Sequence, residues 1–124
     1  DILLPSLPID KPPPPPPSKV IHDAHFRILY LSRAVIPQPF KHRPDFYLKH
    51  LSIISFTSES LRHYSKLKSS NLEKVEGIEL LRAIENGMVV GTVLLEGDSF
   101  SVDIKQDFDK AIERMAIDEM RKQY

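Results

Sequence analysis

Among the residues able to do chemistry in this sequence, Asp103 occupies the most suggestive position. Ser101 and Val102 form a short extended piece before it, and a helical pattern begins directly after it. In α/β proteins such a junction often carries a functional group, because ligands bind beyond the carboxyl ends of the strands. Asp103 is therefore the first candidate. It also has a structural explanation, since Asp103 with Gln106 three residues on forms a capping pattern for the last helix. His22, His25 and His42 show no metal-ligand spacing and read as surface residues. His50, alone in an apolar stretch, reads as a satisfied core histidine. There is no cysteine, which excludes disulfides and thiolate metal sites.

The elements that must position these groups can be read from periodicity. Ser70 with Glu73 is a capping box, and Leu72, Val75, Ile78, Leu81 and Ile84 then recur at helical spacing until Gly87 stops the helix. Met88 to Leu95 is a strand closed by Gly97 and Asp98. In the last helix, Glu113, Arg114, Asp118, Glu119, Arg121 and Lys122 form a mixed, solvated face. Earlier in the chain, Ile2, Leu3 and Leu4 suit the end of a buried strand that Pro5 and Pro8 interrupt. The prolines from Pro12 to Pro17 predict an extended polyproline spacer. Lys19–His22 and Arg27–Ser32 predict a hairpin around Asp23, Ala24 and His25, although its turn has no glycine. Pro37 to Pro44 is a loop. Phe46 to Phe56 reads as the longest strand, burying Leu48, Ile53, Ile54 and Phe56, and Thr57 or Ser58 caps a short helix through Leu67. Strands alternating with helices in the second half predict an α/β fold, a mixed sheet flanked by helices. The chain divides at residue 18, into a strand remnant with its proline linker (1–18) and the domain proper (19–124).

At 124 residues the chain is one domain's worth, able to bury about two-thirds of its unfolded surface. Its 17 basic and 17 acidic residues cancel, so the footprint of a nucleic-acid binder is missing. No apolar run approaches the roughly 20 residues of a membrane helix and no signal peptide opens the chain, so a cytoplasmic protein with no membrane association is expected. Asp1, in place of Met and inside what reads as a strand, points to a piece of a longer product.

Four separated patches resemble the 3-deoxy-manno-octulosonate (Kdo) cytidylyltransferases, or CMP-Kdo synthetases, of the GT-A-like nucleotidyltransferases. Leu29, Tyr30, Leu31, Ser32 and Arg33 with Ile36 and Pro37 form the first, and Tyr47 to Ile53 the second. The third and most specific runs through Leu72, Glu73, Lys74, Val75 and Glu76 to Glu79, Leu81, Arg82, Glu85, Asn86 and Gly87; the fourth is Ser101, Val102 and Asp103 with Asp107. The order and spacing agree from Lys19 to about Ala111. Only the C-terminal half of such an enzyme is covered, without the phosphate loop and the first metal-binding Asp.

The resemblance implies that Asp103 is the second carboxylate of a Mg²⁺ site, and that His50, Glu79 and Arg33 are contacts to substrate, Arg33 toward a carboxylate or phosphate. It implies CTP and a Kdo-like sugar acid as partners, and a homodimer. The chemistry is coherent, since attack of a sugar hydroxyl on the α-phosphate concentrates negative charge that Mg²⁺ and cations offset. Bland readings stand beside these: Glu79 as a solvated helix residue, Arg33 as one half of a surface ion pair. Departures from the family pattern are Ser52 and Ile54 after the His, Leu80 beside Glu79, Ile104, Lys105 and Gln106 after Asp103, and Lys41, His42 and Arg43 in the loop. They support the alternative of a non-catalytic remnant kept as a dimerisation or binding module.

Overall fold

The computed structural model describes residues 2–12 and 17–119. In chain order the elements are β1 (Ile2–Ile9), β2 (Lys19–His22), β3 (Ile28–Ser32), β4 (Tyr47–His50), β5 (Ser55–Phe56), α1 (Ser58–Tyr64), α2 (Asn71–Glu76), α3 (Leu81–Glu85), β6 (Val90–Leu94) and α4 (Lys105–Ile117). Among the described residues the strands form one six-stranded sheet, ordered β3-β2-β4-β1-β5, with β6 on the other side of β1. The β1–β6 pair is parallel and the rest antiparallel, so the sheet is mixed, as expected.

The largest departure from the sequence reading concerns β1. It is not a remnant outside the domain but the strand that β4, β5 and β6 all join, and it runs straight through Pro5 and Pro8. A proline costs a strand only where its N–H would have had a partner. Pro5 lies between the residues paired with β4 and those paired with β5, and its carbonyl still accepts from the Leu51 N–H at 3.0 Å. Backbone alternation turns Pro8 to the β6 side, beyond Ser6, where pairing with β6 stops. The proline spacer, at residues 13–16, lies outside the described residues, as do Arg121 and Lys122 of the last helix's charged face.

Pro5 also accounts for a second correction. Having no N–H to return to Leu51, it ends the ladder at Ser6 and His50, so the long strand expected from Phe46 to Phe56 is two short ones. Between them Ile53 and Ile54 are exposed rather than buried.

The hairpin of β2 and β3 forms without glycine because a side chain organises its turn. Asp23 Oδ1 accepts from the N–H groups of His25 at 2.8 Å and Arg27 at 3.0 Å, and Oδ2 meets Arg27 Nε at 2.8 Å. Phe26 takes the left-handed position, φ 59°. The bonds from Arg27 hold Asp23 at a pKa of about 2.

The single helix expected from Ser70 to Gly87 is also two. Glu73 closes the start by accepting from Ser70 N–H at 2.9 Å, as the capping pattern predicts, but Gly77 at φ 63° ends α2 after six residues. The break rotates the apolar stripe: Val75 is 75% exposed, whereas Ile78, Leu80, Leu81 and Ala83 join Ile2, Leu4, Val20, Ile28, Leu31, Leu48 and Val90 in the core. Leu80 thus serves the packing of the core. Each fully buried Leu or Ile contributes roughly 1.5–3 kcal/mol. Inside this core Ser6 Oγ and Thr92 Oγ1 bond at 2.8 Å, and Thr92 Oγ1 donates to the Leu4 carbonyl at 2.8 Å, tying β6 to β1.

Candidate functional site

The candidate residues gather at one end of the sheet, where β2 begins, β3 and β4 end, and α2 gives way to α3. His50 is placed there by the early end of β4; its N–H donates to the Ser18 carbonyl at 3.0 Å and its side chain is half-buried. Burial lowers the imidazole pKa from its ordinary value, the backbone groups of His50 and Leu51 push it back up, Arg33 lowers it and Glu79 raises it. Arg33 and Glu79 are therefore close enough to act on His50 by charge. Three of the four sequence-selected residues come together.

Arg33 is not a bare cation. Its Nε donates to the Glu76 carbonyl at 3.0 Å and its Nη2 to the Gly77 carbonyl at 3.2 Å, so it caps the C-terminal end of α2. It remains exposed, with guanidinium N–H groups to spare for an anion. Glu79 is also exposed, while its carbonyl accepts from Tyr64 Oη at 3.0 Å.

Two residues that sequence reasoning passed over hold this corner together. The Glu76 carboxylate accepts from Tyr30 Oη at 3.2 Å and Ser32 Oγ at 2.7 Å through Oε1, and from Arg33 N–H at 2.9 Å through Oε2. Burial pushes its pKa up, but those three hydrogen bonds and the Arg33 charge outweigh it and leave the carboxyl lowered. A carboxylate in the last turn of a helix opposes the helix dipole, a misplacement that shows only once the helix is seen to end at Gly77. Lys19 is the second. It is fully buried, with Nζ bonded to the carbonyls of Pro17 and, at 2.8 Å, Arg33. Burial and the Arg33 charge lower its pKa, and Glu76 raises it. One carboxylate therefore serves as counter-charge to two cations, and together they fix where Arg33 leaves the sheet.

Asp103 stands apart, in the exposed stretch ahead of α4. It is not the cap of that helix. Asp107, in the first turn, accepts through Oδ2 from the N–H groups of Asp103 and Ile104, each at 3.2 Å. The Asp103 side chain is left as one exposed oxygen donor. The stretch before it is tied down by Lys49 Nζ, which donates to the Ser99 carbonyl and to Ser99 Oγ at 3.2 Å, and by an Arg114–Asp98 ion pair. No group of three side chains able to hold a metal ion occurs among the described residues.

No family model matches the chain. Over 90% of its length it is 38% identical to the 3-deoxy-manno-octulosonate cytidylyltransferase of Rickettsia prowazekii (strain Madrid E), covering 45% of that protein. It is 36% identical to the protein of the same name from Rickettsia rickettsii (strain Sheila Smith), covering 46%. A solved structure of CMP:2-keto-3-deoxy-manno-octonic acid synthetase complexed with CTP superposes with a TM-score of 0.83 at 28% identity, over 93% of this chain and 48% of that one. The chain thus spans about half the length of the relatives it matches, and it shares their α/β nucleotidyltransferase fold over that half.

Proposed function

We propose that this chain is the C-terminal half of a CMP-Kdo synthetase, contributing sugar-acid contacts to an enzyme that transfers CMP from CTP to a Kdo-like acid. The observation that carries this reading is the convergence of His50, Arg33 and Glu79 at one sheet end of a fold shared with a CTP-bound synthetase. A sugar acid carries a carboxylate and several hydroxyls. Arg33 would meet the carboxylate, and Glu79 and a neutral His50 would take up hydroxyls. In the reaction a sugar hydroxyl attacks the α-phosphate of CTP and pyrophosphate departs. The role of this half is to hold the attacking sugar in place.

Asp103 is proposed to give one carboxylate oxygen to a Mg²⁺ whose other ligands lie outside the described residues. A homodimer and a cytoplasmic location belong to the same proposal; among the described residues no helix is long and apolar enough to cross a membrane.

The test joins this chain to the unmatched part of the R. prowazekii relative and follows pyrophosphate release from CTP with Kdo and Mg²⁺. Release that falls sharply in Arg33→Met and Glu79→Gln variants supports the reading. Absence of release from a folded fusion overturns it. The 124 residues alone are expected to release none, because they match only about half the length of the relatives, and a pyrophosphate leaving group must be gripped and charge-compensated.

A further inference from the structure

Arg33 and Glu76 hold each other reciprocally. The Glu76 side chain takes the Arg33 main-chain N–H at 2.9 Å, while the Arg33 side chain, through Nε, takes the Glu76 main-chain carbonyl at 3.0 Å. The main chain around Arg33 is fastened on its other side as well. The Arg33 carbonyl accepts from the buried Lys19 Nζ at 2.8 Å. The next N–H, that of Ala34, donates at 3.0 Å to Ser32 Oγ, and this hydroxyl donates in turn to Glu76 Oε1 at 2.7 Å. Glu76 thus anchors the chain before Arg33 directly and the chain after it through Ser32.

The consequence lies in which N–H groups remain. Nε and Nη2, bonded to the carbonyls of Glu76 and Gly77, form one side edge of the guanidinium plane. The end edge, with one N–H on Nη1 and one on Nη2 running parallel, has no hydrogen-bond partner among the described residues, and Arg33 is exposed. Two parallel N–H groups match the two oxygens of a carboxylate. The Glu76 carboxylate does not occupy that edge, because Tyr30, Ser32 and the Arg33 N–H already engage it. An arginine free to sample its rotamers would lose that freedom on meeting an anion, and fixing it beforehand removes the loss. We propose that Glu76 is a positioning residue for recognition of the sugar acid, orienting Arg33 so that its side edge rests on α2 and its end edge faces the substrate carboxylate. The inference rests on the proposed function for the identity of the substrate, whereas the orientation of Arg33 can be measured without it.

The first measurement uses the 124-residue chain. NMR exchange of the Arg33 Nε proton reports its bond to the Glu76 carbonyl, a main-chain group that a side-chain substitution leaves chemically intact. In Glu76→Gln, which keeps the shape but loses the charge and one acceptor oxygen, that proton should exchange roughly tenfold faster. The second measurement uses the fusion described above. There Glu76→Gln should raise KM for Kdo roughly tenfold with KM for CTP unchanged, and in an Arg33→Met background it should add no further loss. Ser32→Ala, a smaller loss from the same network, should show the same pattern to a lesser degree, and carries both measurements if circular dichroism shows Glu76→Gln unfolded. Unchanged Nε exchange, an equal rise in KM for both substrates, or a penalty that persists in full in the Arg33→Met background each overturns the inference. If the wild-type fusion releases no pyrophosphate, the proposed function falls, and the exchange measurement alone decides whether Glu76 orients Arg33.

Discussion

Arg82 grips Glu73 across the break between α2 and α3: Nε lies 2.8 Å from Oε2, and Nη2 bonds Oε1. Arg82 also donates to the Leu67 carbonyl at 3.3 Å and lies 5.3 Å from the centre of the Tyr64 ring, so one guanidinium ties α1, α2 and α3 into a unit. The Arg82 bonds, with help from the N–H of Ser70, hold Glu73 at a pKa of about 2 against an ordinary 4.5. A carboxyl whose folded pKa is depressed adds stability above its unfolded pKa, and that stability is lost as pH falls toward the folded one. The melting temperature is therefore expected to fall between about pH 4.5 and pH 2. Glu73→Gln should lower it by several degrees at pH 7 and flatten the acid-side decline. A variant whose acid-side slope matches wild type would show that another group carries it.

Gly77 makes that pairing possible by turning the chain at φ 63°, where a Cβ would meet nothing closer than Arg33 Nε at 3.9 Å. There is room for a methyl group, so the cost of Gly77→Ala is conformational, about 1–2 kcal/mol for an L-residue in the left-handed region. Chemical denaturation is expected to show a loss of that size with an unchanged dependence on denaturant. A neutral substitution would mean that the break is not required.

How far the sequence went, and where it stopped, follows from the same residues. The mixed sheet, the hairpin at Asp23, the capping of α2 by Glu73 and the loop between β3 and β4 rest on local patterns, and all appear. The failures lie where a distant partner overrides a local pattern. Gly77 lies inside the stretch read as one helix, and the break there emerges only with Arg33 capping the carbonyls at 76 and 77. Pro5 and Pro8 read as strand breakers until the neighbours of β1 are known. His50, Arg33 and Glu79 were singled out through the resemblance, whereas their grouping required the fold. Lys19 gave no local sign of burial.

His50 offers a direct measurement. Burial lowers its pKa, so at neutral pH the ring is uncharged and can both donate and accept a hydrogen bond. As pH falls below the ordinary 6.5, the unfolded chain takes up this proton before the folded one, and stability declines. An NMR titration of the imidazole should show a midpoint below 6.5. A midpoint at or above that value would mean that the ring is solvated, or that Glu79 dominates its surroundings. In Arg33→Met the midpoint should rise, and in Glu79→Gln it should fall, because each variant removes a charge that now acts on the ring.

The last prediction separates the metal reading of Asp103 from the capping one. The helix start is secured by Asp107, whose carboxylate serves the N–H groups of residues 103 and 104. Asp107→Ala should therefore cost about 1 kcal/mol of stability, as loss of a cap does, and Asp103→Ala little. Among the described residues no three candidate metal ligands gather at Asp103, so the 124-residue chain should show no saturable Mg²⁺ binding in calorimetry. In the complete enzyme, Asp103→Asn preserves size and removes charge. If the carboxylate holds the cation that offsets charge on the phosphates, turnover should fall on the order of a hundredfold or more, with the melting temperature almost unchanged. Near-normal turnover of Asp103→Asn across a Mg²⁺ titration would rule out the metal assignment. A stability loss in Asp103→Ala equal to that of Asp107→Ala would return Asp103 to the role of a cap.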